Sequence, residues 1–376
     1  MISLALKTLL HDWRRYMPAV VAVAFSGVLV LLQGALILGI FSLSSLYVTR
    51  SGADLWIGYP GVQSIDLGRP IGSQAELDAW MEPDVRQVEP FQWGAGEWRT
   101  HDQGMVNVYL VGVSLAPDAM ALSEALTPAQ RAALAEPGSV LVDAGDRNKL
   151  DAGLGQTVEI NGRRVRIAGF TEGLRGLGGV NVIGSQATVR TLDPAAGSDG
   201  RVAYFLARFG TPEAAVASAR RLTERGRTRG FEAVTAKAFA DRTTSYWLGE
   251  SGAGVAFLFG SSIALLVAVI ITSQTLTAAV AGSIKEYAAL RALGFPMGSL
   301  RALVLEQSAW VGVAGLVVGS LLTLALAVTA RTQGVPIVLS PAMTGAAALL
   351  ILIVALGSGA WALRRVARAD PASLLL

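Results

Sequence analysis

The sequence predicts an α-helical membrane protein with four transmembrane helices plus an α+β domain inserted between helices 1 and 2. Three observations carry that expectation. Of 376 residues, 52% are hydrophobic and only 16% charged, against about a quarter charged in ordinary soluble domains; mean hydropathy is +0.49. Four stretches contain no Asp, Glu, Lys or Arg: Tyr16 to Thr49, Ser251 to Ile284, Gln307 to Ala330 and Thr332 to Leu363. Each exceeds the ~20 apolar residues that cross a bilayer. Residues 47–250, between the first two stretches, have soluble composition, with 21 Lys plus Arg against 24 Asp plus Glu.

A secretory apolar segment runs roughly 7–15 residues. The first stretch is far longer, so it reads as a retained helix that also targets the chain. The expected order is an amphipathic N-terminal segment at 1–16, helix 1 at 17–46, the inserted domain at 47–250 and helix 2 at 251–281. A loop comes next at 282–301, then helix 3 at 302–330, a short loop at 331–341, helix 4 at 342–363 and a tail at 364–376. The stretches at helices 1 and 2 are longer than a bilayer needs. Projection as a stalk and tilt within the membrane both remain open.

Cytoplasmic flanks carry excess Lys and Arg. Lys7, Arg14 and Arg15 precede helix 1, Lys285, Arg291 and Arg301 lie between helices 2 and 3, and Arg364, Arg365 and Arg368 come after helix 4. The connection after helix 3 holds only Arg331. Both termini and the 282–301 loop are therefore expected in the cytoplasm, with the inserted domain on the far side.

That domain mixes strand and helix patterns. Expected strands are Asp54 to Ile57, Val106 to Val113, Ser139 to Val142, Thr157 to Ile160, Arg164 to Phe170, Val180 to Ile183, Val202 to Phe209 and Phe231 to Val234. Asn161-Gly162 between two of them signals a hairpin. Expected helices are Ser73 to Met81, Thr127 to Ala135 and Pro212 to Arg225, the first with capping-box spacing from Ser73 to Glu76. Roughly 90–200 could form a subdomain.

Several function classes fall away. The net charge of +3 is not gathered into a basic face with aromatics, so no nucleic-acid partner is expected. Without cysteine there is no disulfide or thiolate chemistry. The two histidines, His11 and His101, are far apart. No hydrolase or zinc-protease motif occurs, and His101-Asp102 reads as a solvated turn. The run from Gly173 to Gly179 lacks the Lys-Ser or Lys-Thr of a phosphate loop and reads as a mobile loop, a candidate partner contact. Gly315 and Gly319, extended by Gly312, form a small-residue stripe in helix 3 suited to packing within the chain or to a dimer contact. Gln33 sits in helix 1 and Glu306 lies only at the cytoplasmic edge of helix 3, but the four charge-free stretches hold no acidic or basic side chain. Ion-driven transport normally needs one, so energy must come from elsewhere.

The loop is the most informative stretch. Ser283 and Glu286 have capping-box spacing, and Gly294 with Pro296 marks a stop. Lys285-Glu286-Tyr287-Ala288-Ala289-Leu290-Arg291-Ala292-Leu293-Gly294 resembles the (R/K)-E-x-A-x-L-R-A-L-G signature of MacB/FtsX-type ABC transporter permeases. Arg368-Ala369-Asp370-Pro371-Ala372 is similar to the family's C-terminal ending. The run from Val140-Leu141-Val142-Asp143 through Gly155-Gln156-Thr157-Val158 to Val165-Arg166-Ile167-Ala168-Gly169-Phe170 looks alike too. Ala53-Asp54-Leu55-Trp56-Ile57 and the Lys-Glu-Tyr-Ala form look most like the DevC branch.

The resemblance implies a multi-pass protein of the bacterial inner membrane with a periplasmic domain. It implies no catalytic, cofactor or metal residues in this chain, which has no Walker A motif; ATP and Mg²⁺ would be held by a separate ABC ATPase subunit. A second permease copy in a homodimer, a periplasmic membrane-fusion adaptor and an outer-membrane channel are the further implied partners. Lys285, Glu286, Tyr287, Leu290, Arg291 and Gly294 would couple to the ATPase, together with the segment from Leu4 to Tyr16. The implied role is export of a lipid, glycolipid or amphipathic compound. The alternatives are lipoprotein release, as in Lol-type relatives, and an FtsX-like regulator of a cell-wall hydrolase.

Overall fold

The computed structural model describes residues 4–102, 104–197, 200–332 and 335–368. In chain order they form α1 (Leu4–His11), α2 (Trp13–Ser44), α3 (Leu46–Thr49), β1 (Leu55–Gly58), α4 (Gln74–Trp80), β2 (Val85–Arg99), β3 (Met105–Val113), α5 (Pro128–Ala133), β4 (Ser139–Asp143), α6 (Arg147–Leu150), β5 (Thr157–Ile160), β6 (Arg163–Thr171), β7 (Val180–Ser185), α7 (Gln186–Leu192), β8 (Tyr204–Phe209), α8 (Pro212–Gly226), β9 (Glu232–Thr235), α9 (Ala236–Ser245), α10 (Gly252–Gly282), α11 (Ile284–Ala292), α12 (Met297–Thr332) and α13 (Pro341–Arg368). Two units result: residues 40–255, and residues 1–39 with 256–376.

The first unit is the inserted domain, a nine-stranded sheet ordered β3-β7-β4-β6-β5-β2-β8-β1-β9 with β3 also paired to β2. Those pairings make β2, β3, β7, β4, β6 and β5 a closed circuit. The circuit encloses Trp98, Leu110, Val142, Ile160, Ile167 and Val182. Trp98 is fully buried, and its indole N–H donates to the Leu150 carbonyl at 3.0 Å. Closure removes the open edges that would otherwise invite pairing with another chain. The second half of the sheet, β8-β1-β9, is covered on both faces. Leu55 and Ile57 pack with Phe205, Ala219 and Leu222 on one side. Trp56 packs with Phe91, Tyr204 and Phe239 on the other.

Strand β2 joins the two halves. Its first part pairs with β8 and its second with β3 and β5. The sequence pattern does not predict it, because Pro90, Gly94 and Gly96 interrupt the run. The glycines are there for close approach: a Cβ at Gly94 would lie 2.6 Å from Asp193 Oδ2, and one at Gly96 3.0 Å from Ile160. The other expected strands lie close to their observed positions. The hairpin at Asn161-Gly162 forms with φ of 50° and 75°, as a type I′ turn requires.

Two expectations for this domain are corrected. Ser73 does not cap α4; its backbone is helical (φ −60°, ψ −14°) and its hydroxyl makes no cap bond. The capping box that forms is Thr127 with Gln130, at α5. The 173–179 run does not hang free. The Leu174 N–H donates to Asp143 Oδ2 at 2.7 Å, its carbonyl accepts from Asn181 at 2.6 Å, and its side chain is buried. Arg175 pairs with Asp146.

The second unit holds four helices long and apolar enough to cross a membrane: Trp13–Ser44, Gly252–Gly282, Met297–Arg331 and Pro341–Ala362. The longest helix is α12, at 36 residues, rather than α2 or α10 at 32 and 31. Its first turns carry Arg301 and so precede the charge-free stretch. Polar side chains pair α2 with α10: Ser26 donates to the Ala268 carbonyl (3.1 Å), Thr272 to Ser26 (3.0 Å), and Gln33 to Ser261 (2.8 Å). Of the four spans α10 is the least covered, with 11% of its apolar window buried against 28–39% for the others.

Candidate functional site

The site is the segment from Ser283 to Pro296 with the elements that hold it. Helix α11 has Glu286 in its first turn and Arg291 in its last, the arrangement that the helix dipole favours. It stops at Gly294, whose φ of +92° a β-carbon would oppose. The expected capping box is absent. Ser283 has φ −90° and ψ 8° and makes no cap bond, because both of its proposed members are engaged elsewhere. The Ser283 hydroxyl shares a 3.1 Å hydrogen bond with the Tyr16 hydroxyl. Glu286 accepts from Arg15 Nη1 at 2.6 Å.

These two contacts tie α11 to the first turn of α2. A third ties it to α12: the Tyr287 hydroxyl donates to Gln307 Oε1 at 2.7 Å, with both side chains buried. Burial pushes the Tyr287 hydroxyl well above its ordinary pKa, so it stays a neutral donor. Leu290 packs on Val280, Leu300 and Val304. Tyr287 and Leu290 therefore face inward. Lys285, Glu286 and Arg291 are exposed.

The six predicted coupling residues thus divide into a seat and a surface. Sequence reasoning named the segment from Leu4 to Tyr16 as coupling but not which of its residues hold α11, and it missed Gln307, Leu293 and Phe295. Arg15, Tyr16 and Gln307 form the seat. Leu293 (77% exposed) and Phe295 (46%) flank Gly294 and present apolar surface beside Arg291. The surface joins a cation to two large apolar groups, a composition common at protein contacts.

The glycine stripe is used inside the chain. A Cβ at Gly315 would stand 2.5 Å from Val23, one at Gly319 2.7 Å from the Ala24 carbonyl, and one at Gly312 3.1 Å from Leu352. Gly315 and Gly319 admit α2, and Gly312 admits α13. Of the two uses open in the sequence, packing within the chain is the one observed. His101 and Asp102 are exposed in a turn. Residues 369–372 of the C-terminal resemblance lie outside the described residues.

Comparison with known proteins supplies the family. The description of the MacB-like periplasmic core domain matches residues 19–225, more than half of the chain. That of the FtsX-like permease C-terminal region matches residues 258–371. Similar solved structures include the periplasmic region of MacB from Actinobacillus actinomycetemcomitans, at 14% identity and a TM-score of 0.35, covering 52% of this chain and 94% of that one. Another is the extracellular domain of the noncanonic ABC-type transporter YknZ from Gram-positive bacteria, at 10% identity and a TM-score of 0.33, covering 49% and 100%. No curated protein matches the chain. Two family descriptions in succession, one reaching from the first apolar helix through most of the inserted domain and one on the helices that carry α11, leave one assignment: the chain belongs to the MacB/FtsX-type family of ABC transporter permeases.

Proposed function

We propose that this chain is the permease subunit of an ABC-type exporter, coupling ATP hydrolysis by a separate ATPase subunit to motion of its periplasmic domain. ATP and Mg²⁺ belong to that ATPase. The observation that carries the reading is α11 itself. A helix seated by Arg15, Tyr16 and Gln307, with Arg291, Leu293 and Phe295 left outward, suits a partner that pushes on it. Force on α11 passes into α2 through Arg15–Glu286 and into α10 through the peptide chain. α2 and α10 lead into the inserted domain. At the second junction Trp247 lies in a π-helical turn, Tyr246–Glu250. Its indole donates to Ser64 at 2.9 Å and to Asp66 at 3.3 Å.

The chain sits in the inner membrane with both termini cytoplasmic, as the Lys and Arg distribution supports. The cargo is a lipid, glycolipid or amphipathic compound. A second copy, a membrane-fusion adaptor and an outer-membrane channel complete the assembly in the manner of the DevC branch. The four charge-free stretches, with Glu306 only at the edge of the third, support energy supplied from outside the membrane.

The test is co-purification with the ATPase from native membranes. Leu293→Asp and Arg291→Glu change exposed side chains. Each is expected to lower ATPase retention about tenfold, the effect of a contact worth ~1.4 kcal/mol. Retention equal to wild type in both variants would overturn the coupling role. Recovery of a cell-wall hydrolase in place of an adaptor would replace export with regulation.

A further inference from the structure

The inserted domain carries a groove that the ATP-coupled reading does not use. Its volume is about 650 Å³, within the roughly 300–1,000 Å³ of small-molecule sites. It lies among the end of β3, the 135–138 turn, the start of β6 and α7. Leu115, Ala135, Pro137 and Ala187 give it exposed apolar wall. Arg163, Arg164 and Arg190 line it as well, and no Asp or Glu does.

The neighbouring carboxylates are already engaged. Glu159 stands opposite Arg164 in the β5–β6 register, yet its ion pair is with Arg99 at 3.0 Å. Glu136, one residue before Pro137, pairs with Arg166. Arg163, Arg164 and Arg190 form no ion pair or side-chain hydrogen bond among the described residues, while Arg175, Arg221, Arg225, Arg229 and Arg242 of the same domain all meet carboxylates. The domain carries more acidic than basic residues, yet three arginines and no carboxylate line this groove. Guanidinium groups are suited to oxyanions, which they can hold through two parallel hydrogen bonds.

We infer that this groove binds a small amphiphilic anion, its phosphate or carboxylate head met by the arginines and its apolar body laid on Leu115, Ala135, Pro137 and Ala187. The inference stands apart from the ATP-coupled role, since binding needs neither ATPase nor transport.

The test is calorimetric titration of the full chain in neutral detergent at low salt. The ligands are hexyl phosphate, hexanoate, inorganic phosphate and hexyltrimethylammonium. Wild type is expected to bind hexyl phosphate or hexanoate saturably, with one site per chain. Inorganic phosphate should bind more weakly and the cation not at all. The Arg163→Ala/Arg164→Ala/Arg190→Ala variant should lose at least ~10-fold in affinity, as charge-assisted hydrogen bonds disappear. It should melt like wild type, because all three side chains are exposed. Equal binding by the variant, which marks partition into detergent, would overturn the site, as would equal binding of the cation or silence of wild type toward both anions. Inorganic phosphate binding as tightly as hexyl phosphate would overturn the amphiphile assignment.

Discussion

Ser73, Thr127 and Ser283 each stand three residues before a Glu or Gln, yet only Thr127 caps a helix. A cap needs extended backbone at its own position, and only Thr127 has it, at φ −69° and ψ 156°. Spacing is a property of sequence; the backbone angle at a single residue is set by the turn it belongs to and by the side chains packed on it. Glu89 shows the same dependence. It is buried in β2, where its carboxylate accepts the Met120 N–H at 2.6 Å. Burial raises its pKa, and the backbone bonds and nearby Arg131 only partly offset that. A folded-state pKa above the unfolded value of ~4.3 means the folded form holds a proton that the unfolded form has released. Stability from this group is therefore greatest at low pH and is lost as pH rises through the raised value. Glu89→Gln should remove that slope. The melting-temperature gap between wild type and variant should shift in favour of wild type as pH falls from 7 towards 5. A constant gap would show that ionisation of Glu89 does not matter.

Helices α4 and α8 act as a matched pair. Asp78 and Glu82 are one turn apart, and their carboxylates are fully buried. Arg221, Arg225 and Arg229 recur every four residues on and just beyond α8. Arg221 and Arg225 each meet Glu82 at 2.7 Å, and Arg229 meets Asp78. The i, i+4 spacing of both sets brings charges of opposite sign onto facing stripes. Truncating a buried carboxylate leaves several cations without their partner, which costs more than an exposed pair is worth. Glu82→Gln should destabilise the inserted domain by about 2 kcal/mol, read by chemical denaturation. Lys237→Ala, which breaks the exposed pair with Asp241, should change it by under ~0.5 kcal/mol. Equal effects would mean that burial adds nothing to the clamp.

At the scale of the molecule, the four spans differ in how much of their surface the chain itself covers. α12 packs Gly315 and Gly319 on α2 and Gly312 on α13, and α10 is left with Val255, Phe259, Ile263 and Leu266 outward. If the assembly contains two copies, α10 is the span with surface to spare for the second. The chain has no cysteine, so single substitutions report directly. Leu266→Cys in α10 should give oxidatively cross-linked dimers in membranes, and Leu349→Cys in α13, of similar exposure, should not. Cross-linking requires Cα atoms within about 7 Å, which distinguishes a packed interface from chance encounter. Monomers at both positions would remove α10 from the contact.

The sequence by itself determined the four apolar helices, the place of the inserted domain, most of its strands and the helix that ends at Gly294. All of these rest on local quantities: charge is excluded from hydrocarbon, alternation marks a half-buried strand, and glycine permits positive φ. The loop motif also named the family correctly. Tertiary structure decided the rest. It threaded β2 through Pro90, Gly94 and Gly96 to close a six-strand circuit. It tied the glycine-rich run to Asp143, and turned Ser283 and Glu286 away from capping towards Tyr16 and Arg15, some 270 positions earlier in the chain. It also gathered Arg163, Arg164 and Arg190 onto one groove. Each of these outcomes depends on a contact between residues distant in sequence. Such a contact leaves no periodicity at either end, and it forms only when folding brings both partners within hydrogen-bonding or van der Waals reach.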